Sequence, residues 1–315
     1  MRPYPNERVH TKKGGTAGIR PVPLKGAGLL LTKPLEANAN GVCEAVRTVG
    51  YQGEPGAFSE VAALRLERDA RTSPCRTLLD VFSKVESGAL DSGVVPVENS
   101  LAGSVGETYD LLLAHKLVVT GETVLPVEHC LLALPGTSLD QIKRVISHPQ
   151  ALSQCNDYLA TLGVDTIPHY DTAGAAKSIR ESGAKDTAAI ASSRAAELYG
   201  LDILAQRIQS GRENFTRFFR VERELRPRSA NNKSVFAVAL PHHPGSLFMA
   251  LASFACRAVN LTKIESRPVR RDPWEYVFYF EFEGHVDDWQ VKSALDELRS
   301  KATMLRVLGA FGLEG

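Results

Sequence analysis

Hydroxyl and amide side chains recur where an apolar run of the sequence passes into a helical or polar segment. Ser59 stands near the start of a helical pattern, so its hydroxyl either caps that helix or lies beside free backbone N–H groups, where an anionic ligand is favoured. Asn99 and Ser100 end a strand-like run at the edge where open α/β sheets bind ligands, although an Asx-type turn is equally compatible. Thr172 lies in the N-cap region of a further helix, where capping and ligand contact are both open.

A Pro-Gly turn opens another helix in the last third of the chain. Gly245 and Ser246 stand at this junction, and the first turn of a helix presents N–H groups without intrahelical partners. Such an N-terminus suits a carboxylate or another anion. We therefore expect a second binding position here.

The elements that would position the first four side chains alternate strand and helix from Thr48 onward, which indicates an α/β domain over residues 48–224. The predicted segments are a strand at 48–53, helices at 58–68 and 78–90, a strand at 92–100, strand-like runs at 124–135 and 142–150, helices at 151–162 and 171–182, a strand feeding a helix over 187–200, and a strand within 208–223. Residues 225–232 are charged and Asn-rich, and we interpret them as a linker.

Residues 233–315 predict the order βαββαβ. The strands are expected at 234–240, 261–267, 274–283 and 304–310, and the helices at 246–259 and 287–300. This order is the ferredoxin-like plan, in which an antiparallel four-stranded sheet packs two helices on one face.

The balance of charge argues against nucleic acid and membrane partners. The 315 residues include 37 Lys and Arg against 36 Asp and Glu, and 43% are hydrophobic, enough for a core in each of about two domains. Charges, His or Pro interrupt every apolar run before the ~18 to 20 residues that span a bilayer. The cysteines lie far apart, so they predict buried small side chains; a nucleophilic Cys155 close to His148 is the alternative.

Residues 1–47 form a basic extension. The first forty residues carry seven basic and two acidic side chains with scattered Pro and Gly. This composition fits either an organellar transit-peptide remnant or a plain disordered tail. The first alternative predicts the plastid stroma, and the second leaves a cytoplasmic location open.

Seven motifs occur in order along the chain. They are GYQGEPGAFSE (50–60), GVVPVENSLAGSV (93–105), SHPQALSQC (147–155), DTAGAAK (171–177), NFTRFFRV (214–221), PGSL (244–247) and NLTKIESRP (260–268). With them the chain resembles the prephenate and arogenate dehydratase family, and especially its plant and algal arogenate dehydratases. The resemblance implies a two-lobed α/β catalytic domain, similar to periplasmic binding proteins, followed by an ACT domain that senses an amino acid.

The resemblance also implies the chemistry. The substrate, arogenate or prephenate, is a cyclohexadiene with a ring carboxylate, a C4 hydroxyl and a side chain ending in a second carboxylate, and it loses CO2 and water together as the ring becomes aromatic. Thr216 would act on the leaving hydroxyl and Arg217 on a carboxylate. The implied substrate contacts are Ser59, Asn99, Ser100, Thr172 and Phe218. No metal or redox cofactor is implied, and His148 and Gln154 stay outside the catalytic set.

Phenylalanine is the implied allosteric effector of the ACT domain. The family positions that would hold it between two ACT domains match Gly245, Ser246, Leu247, Glu265, Ser266, Arg267 and Pro268. Such a shared site requires at least a dimer, so a homodimer or homotetramer is expected. A non-catalytic amino-acid sensor or other ligand-binding protein is the alternative, and the choice between arogenate and prephenate stays open.

Overall fold

A computed structural model of the chain describes residues 35–37, 43–211, 213–229, 231–269 and 272–312. The chain divides into two compact units, residues 1–45 and residues 46–315. In the first unit, β1 (Leu35–Ala37) pairs antiparallel with β2 (Cys43–Ala45). The rest of the predicted basic extension before Val46 lies outside the described residues.

The second unit combines strands and helices throughout. Its strands are β3 (Thr48–Gln52), β4 (Arg71–Cys75), β5 (Ser92–Asn99), β6 (Gly103–Ser104), β7 (Val118–Pro126), β8 (Cys130–Ala133), β9 (Arg144–Ser147), β10 (Asp165–Pro168), β11 (Thr187–Ala191), β12 (Asp202–Ala205), β13 (Phe215–Glu222), β14 (Asn232–Ala239), β15 (Leu261–Val269), β16 (Asp272–Glu283) and β17 (Met304–Gly312). Its helices are α1 (Phe58–Leu66), α2 (Leu78–Glu86), α3 (Gly106–Ala114), α4 (Pro149–Gln154), α5 (Asn156–Leu162), α6 (Thr172–Ser182), α7 (Ser193–Tyr199), α8 (Ser246–Ala255) and α9 (Trp289–Lys301). None of the described helices is long and apolar enough to cross a bilayer.

The first lobe is a mixed sheet with the strand order β7-β13-β5-β3-β4. β5 pairs in parallel with β3 and antiparallel with β13. Because successive side chains of a strand point to opposite faces, Val94 packs with α1 whereas Val95 packs with α2 and α3. Both faces of this sheet are therefore covered.

The second lobe is inserted between β7 and β13. Its sheet has the order β10-β9-β11-β8-β12, and the chain enters it after Pro126 and returns before Phe215. The entering and returning segments run side by side: the N–H of Val127 donates to the carbonyl of Asn214 at 2.7 Å, and the N–H of Ile208 donates to the carbonyl of His129 at 3.1 Å. These two crossing segments form the hinge between the lobes.

Two predicted segments of the second lobe differ from the structure. The run at 124–135 is not one strand, because β7 ends at Pro126 and the chain changes sheets before β8 begins at Cys130. The helix predicted at 151–162 is broken at Cys155, whose backbone (φ −107°, ψ 11°) leaves helical geometry. β10 was not predicted, because its residues are exposed and lack the apolar signal of a buried strand.

The predicted βαββαβ order is confirmed in the last third of the chain. The sheet order is β15-β16-β14-β17 with antiparallel pairing throughout. One sheet face packs on α8 and α9 through Phe236 and Phe280. The opposite face, through Val235 and Tyr279, shares a core with the first lobe.

Gly309 joins the last strand to the first lobe. It lies opposite Val119, the one pairing between β17 and β7. A Cβ at this position would lie 2.3 Å from the Val119 carbonyl oxygen, which is far inside van der Waals contact. Only glycine permits this approach, and the two sheets are continuous as a result.

Candidate active site

The two lobes line a cleft of about 760 Å³. Its wall contains the start of α1 from the first lobe and the start of α6 from the second. Ser59 and Thr172, the hydroxyl side chains predicted from these two junctions, both line it. The unpaired N–H groups and positive dipole ends of two helices make this wall favourable for an anion.

Neither hydroxyl caps its helix. Ala57 stands at the N-cap of α1 without a side-chain bond, and Asp171 caps α6 by accepting a hydrogen bond from the N–H of Gly174 at 2.8 Å. The capping interpretation of Ser59 and Thr172 is therefore wrong.

The turn before α1 is held by the second lobe. Lys177 Nζ lies 3.0 Å from the Glu54 carboxylate, and the Ser192 hydroxyl donates to the carbonyl of Gly56 at 2.6 Å. Gly56 has φ +93°, and a Cβ there would lie 2.8 Å from the backbone of Ala195. The turn needs glycine both for its left-handed backbone and for the close approach of the lobes.

A series of side-chain hydrogen bonds lies where the two segments cross between the lobes, and Asn99 and Thr216, which belong to it, are not among the residues that line the cleft. Asn99 Nδ2 lies 2.8 Å from Asn214 Oδ1 and 2.9 Å from Thr216 Oγ1. Asn214 Nδ2 donates to Gln154 Oε1 at 3.0 Å, and the same oxygen lies 2.8 Å from His129 Nε2. This series of hydrogen bonds therefore runs from His129 to Thr216 and joins both lobes.

The direction of these bonds is fixed by the backbone. Asn99 Oδ1 accepts from the N–H groups of Leu101 and Ala102 at 3.1 and 2.9 Å, so Nδ2 is the end that faces Thr216. An amide nitrogen only donates, and the Thr216 oxygen must accept. The hydroxyl proton of Thr216 is consequently left to be donated elsewhere.

His129 connects this series of hydrogen bonds to the cleft. Its ring packs edge-on against Phe58, a residue of the cleft wall, with centroids 5.8 Å apart. Burial lowers the pKa of His129 despite the bond to Gln154. Since Gln154 Oε1 accepts, Nε2 carries the proton of a neutral ring. No sequence motif marks His129, whereas Asn214 opens the motif NFTRFFRV, although neither was among the predicted site residues.

Three other predicted substrate-site residues lie elsewhere. The Ser100 hydroxyl accepts from the N–H of Phe215 at 2.9 Å, so it braces the β5–β13 pair. Phe218 is 2% exposed in the core beneath α1, not on the cleft wall. Arg217 forms a bidentate pair with Glu281 of β16, with Nη2 2.7 Å from Oε1. Like Asn99 and Thr216, these three residues are not among those that line the cleft, and their substrate contacts stay predictions.

Arg76 is a cleft residue that the sequence did not single out. Its exposed side chain lines the cleft, and it forms no ion pair within the described part of the chain. Glu54, on the same wall, is already paired with Lys177. A guanidinium with free donors suits a carboxylate ligand.

The remaining nucleophile candidate is buried. Cys155 is fully buried, and burial raises the pKa of its thiol to about 12. A thiol at neutral pH is a poor nucleophile. His148 lines the cleft and caps α4, with Nδ1 3.3 Å from the N–H of Gln150. The alternative of a Cys155 nucleophile assisted by His148 is not supported.

The predicted effector residues divide between two faces. Ser246 and Leu247 line a cavity of about 160 Å³ at the start of α8, where Gly245 is the N-cap with φ +87°. In β15, Ser266 and Pro268 are exposed, whereas Glu265 and Arg267 contact the first lobe. Ser104 Oγ donates to Glu265 at 2.7 Å, and Arg267 Nε lies 3.0 Å from Asp110.

Comparison with known proteins agrees with the motifs. The family model for prephenate dehydratase matches residues 49–226. The chloroplastic arogenate dehydratase/prephenate dehydratase 1 of Arabidopsis thaliana is 44% identical over 305 residues, which cover 90% of this chain and 78% of the relative.

Solved structures agree as well. A prephenate dehydratase from Arthrobacter aurescens, in complex with L-Phe, has a TM-score of 0.77 and 34% identity, covering 84% of this chain and 89% of that one. A quorum-quenching acylase has a TM-score of 0.79 and 34% identity, covering 85% of this chain and 98% of that one. On the family match and the plant relative, this chain belongs to the prephenate dehydratase family.

Proposed function

We propose that this chain is an arogenate/prephenate dehydratase, a carbon–oxygen lyase of phenylalanine biosynthesis. It converts arogenate to phenylalanine, prephenate to phenylpyruvate, or both. The observation that carries the proposal is the hydrogen bond from Asn99 to Thr216, because it leaves the Thr216 proton available for donation to a leaving hydroxyl.

The reaction needs hydrogen-bond and proton donors more than it needs a general base. The bond from the ring to its carboxylate breaks, its electron pair moves into the ring, and the C4–O bond breaks as the ring becomes aromatic. Thr216 donates its proton as charge develops on the departing oxygen, which leaves as water, and solvent returns the proton to Thr216. The aromatic product forms together with CO2 and water, and one proton is consumed.

The cleft wall suits the two carboxylates of such a substrate. Ser59 and Thr172 supply neutral hydroxyl donors beside helix N-termini, and Arg76 supplies a permanent positive charge. Donors that are fixed before the substrate arrives stabilise developing charge without reorganisation.

We further propose that residues 48–224 form the catalytic domain, residues 225–232 the linker and residues 233–315 an ACT domain. Phenylalanine would bind at the start of α8, shared between two copies in a homodimer or homotetramer. The ferredoxin-like topology and the Arthrobacter relative with bound L-Phe support this assignment. The chloroplastic plant relatives support a location in the plastid stroma.

The deciding experiment incubates the purified full chain with arogenate and with prephenate separately. We expect phenylalanine or phenylpyruvate to form, and the ratio of the two kcat/KM values identifies the preferred substrate. Thr216→Val, which keeps shape and removes the hydroxyl, is the matched variant and should be nearly inactive. Turnover of neither substrate would overturn the proposal.

Two further assays separate the alternatives. Phenylalanine binding by calorimetry without turnover would identify a non-catalytic amino-acid sensor. Hydrolysis of acylated quorum-sensing signals, the activity class of the acylase relative, is measured in parallel. Loss of such hydrolysis in the Thr216→Val variant would place that activity in the same cleft.

A further inference from the structure

The catalytic hydrogen bond and a charged pair are neighbours on the same two strands. In the β5–β13 register, Thr216 lies opposite Asn99, and Arg217 lies opposite Glu98. The register shifts between Arg217 and Phe218, so Val97 has no partner there. Such a bulge re-aims the residues beyond it. Asn99 and Thr216 consequently meet on one face of the sheet, and Glu98 and Arg217 meet on the other.

The second domain holds that other face. Arg217 Nη2 lies 3.2 Å from Glu98 and 2.7 Å from Glu281 of β16. Lys263 Nζ of β15 lies 2.8 Å from Glu98. Lys233 of β14 lies 2.9 Å from Glu281. Two strands of the ferredoxin-like sheet, β15 and β16, thus bind the two residues directly behind Asn99 and Thr216, and Lys233 of β14 supports Glu281.

Most of these charges are shielded from water, whereas the Glu98 side chain is 39% exposed. Glu281 is 1% exposed, and the Arg217 and Lys263 side chains are each 13% exposed. Burial acts to raise the pKa of Glu281, but the hydrogen bonds and charges of Arg217 and Lys233 outweigh it and hold the pKa below its usual range. A buried charged group that loses its partner is strongly unfavourable, so this network holds its geometry firmly.

We propose that Glu98, Arg217, Lys263 and Glu281 are positioning residues through which the second domain holds the Asn99–Thr216 hydrogen bond in its productive geometry. This inference rests on the proposed dehydratase function. The second domain then acts on the reaction without contacting substrate. β15 carries the predicted effector residues Ser266 and Pro268 on its exposed face. A ligand bound there would therefore act on the same strand whose Lys263 pairs with Glu98.

The first test removes the outermost link. Lys263→Met should lower kcat roughly 2- to 30-fold, the range for substitutions along a coupling network, with little change in KM, because the cleft wall is untouched. Lys263→Arg keeps the charge and should restore kcat. Arg306→Met is the control: Arg306 Nη1 donates to the carbonyl of Leu113 at 2.6 Å, an interdomain contact that does not involve Glu98. It should leave kcat unchanged.

The second test asks whether the effect passes through Thr216. In the Thr216→Ala background the hydroxyl is gone, so adding Lys263→Met should lower kcat no further. Glu98→Gln, at a half-exposed position, is the second variant should Lys263→Met fold poorly, and it should behave in the same way.

The outcomes separate the two proposals. Absence of turnover in the unmodified chain would reject the function itself. Normal turnover in the unmodified chain, with an unchanged kcat in both Lys263→Met and Glu98→Gln, would overturn the positioning role. So would a loss in the double variant equal to the product of the single losses, because the network would then act independently of Thr216.

Discussion

Asn99 Nδ2 lies 2.9 Å from Thr216 Oγ1 and donates a hydrogen bond to it. The donor cannot turn around, since the other end of the amide accepts two backbone N–H groups. The hydroxyl is therefore an acceptor toward Asn99 and keeps its own proton for donation.

Removing the Thr216 hydroxyl should remove the proton donor. We expect Thr216→Ala to lower kcat by ~10²- to 10⁴-fold, the usual range for general-acid assistance, and Thr216→Ser to retain part of the activity. Steady-state kinetics on the preferred substrate measures both. An unchanged kcat for Thr216→Ala would contradict the assigned role.

Reversing the direction of the bond should be nearly as damaging. In Asn99→Asp the donor becomes an acceptor, so the Thr216 proton is drawn toward the carboxylate and away from the leaving oxygen. We expect kcat to fall about 100-fold, as when one preorganised donor is lost. Asn156→Asp, an exposed change at the start of α5, is the kinetic control. Equal rates for the two variants would show that the bond's direction is irrelevant.

Arg76 should contribute to substrate binding. Its exposed guanidinium lines the cleft, so Arg76→Met should raise KM roughly tenfold with a smaller change in kcat, the low end for a charged hydrogen bond. The effect should shrink as salt increases, because exposed charges are screened. Arg68→Met changes an exposed arginine outside the cleft wall and should leave KM unchanged. A KM for Arg76→Met equal to that of the unmodified enzyme would contradict the proposed contact between Arg76 and substrate.

The lowered pKa of His129 predicts acid sensitivity. The folded state resists protonation of this buried ring, so the unfolded state binds more protons at pH values below the ordinary His pKa of about 6.5. The stability contribution is present above that pH and is lost as the pH falls toward the lowered folded-state pKa, with a slope of at most ~1.4 kcal/mol per pH unit. Urea unfolding from pH 7.5 to 5 should show this slope, and His129→Gln should lose it. If the free energy of unfolding depended on pH in the same way in the unmodified protein and in His129→Gln, His129 would not be the group responsible.

Gly56 should be intolerant of a side chain. Gly56→Ala places an L-residue at φ +93° and pushes its Cβ against Ala195 of the second lobe. We expect a loss of about 2 kcal/mol or more in the free energy of unfolding. Gly136→Ala is the matched control, since Gly136 has φ +76° with nothing within 4 Å. Equal losses for the two variants would mean that contact between the lobes contributes nothing.

The motifs and the apolar periodicity determined the family, the α/β character and the βαββαβ order, because each of these depends on local spacing. They also predicted Ser59, Thr172, Asn99 and Thr216 as site residues, because these stand at strand ends or helix starts and belong to recognisable motifs. Capping was considered at Ser59 and Thr172, whereas the N-cap positions are Ala57 and Asp171, because the sequence pattern locates a helix end only to within one or two residues.

Only the tertiary structure decided which way neighbouring residues point. Thr216 and Arg217 are adjacent in the sequence and seemed to share one site, yet the alternation of side chains along β13 sends them to opposite faces. His129 and Asn214 lie 85 residues apart and both bond to Gln154 only because the polypeptide crosses between the lobes twice. Contacts made by distant segments depend on how the sheets pack, and no local pattern of side chains encodes that packing.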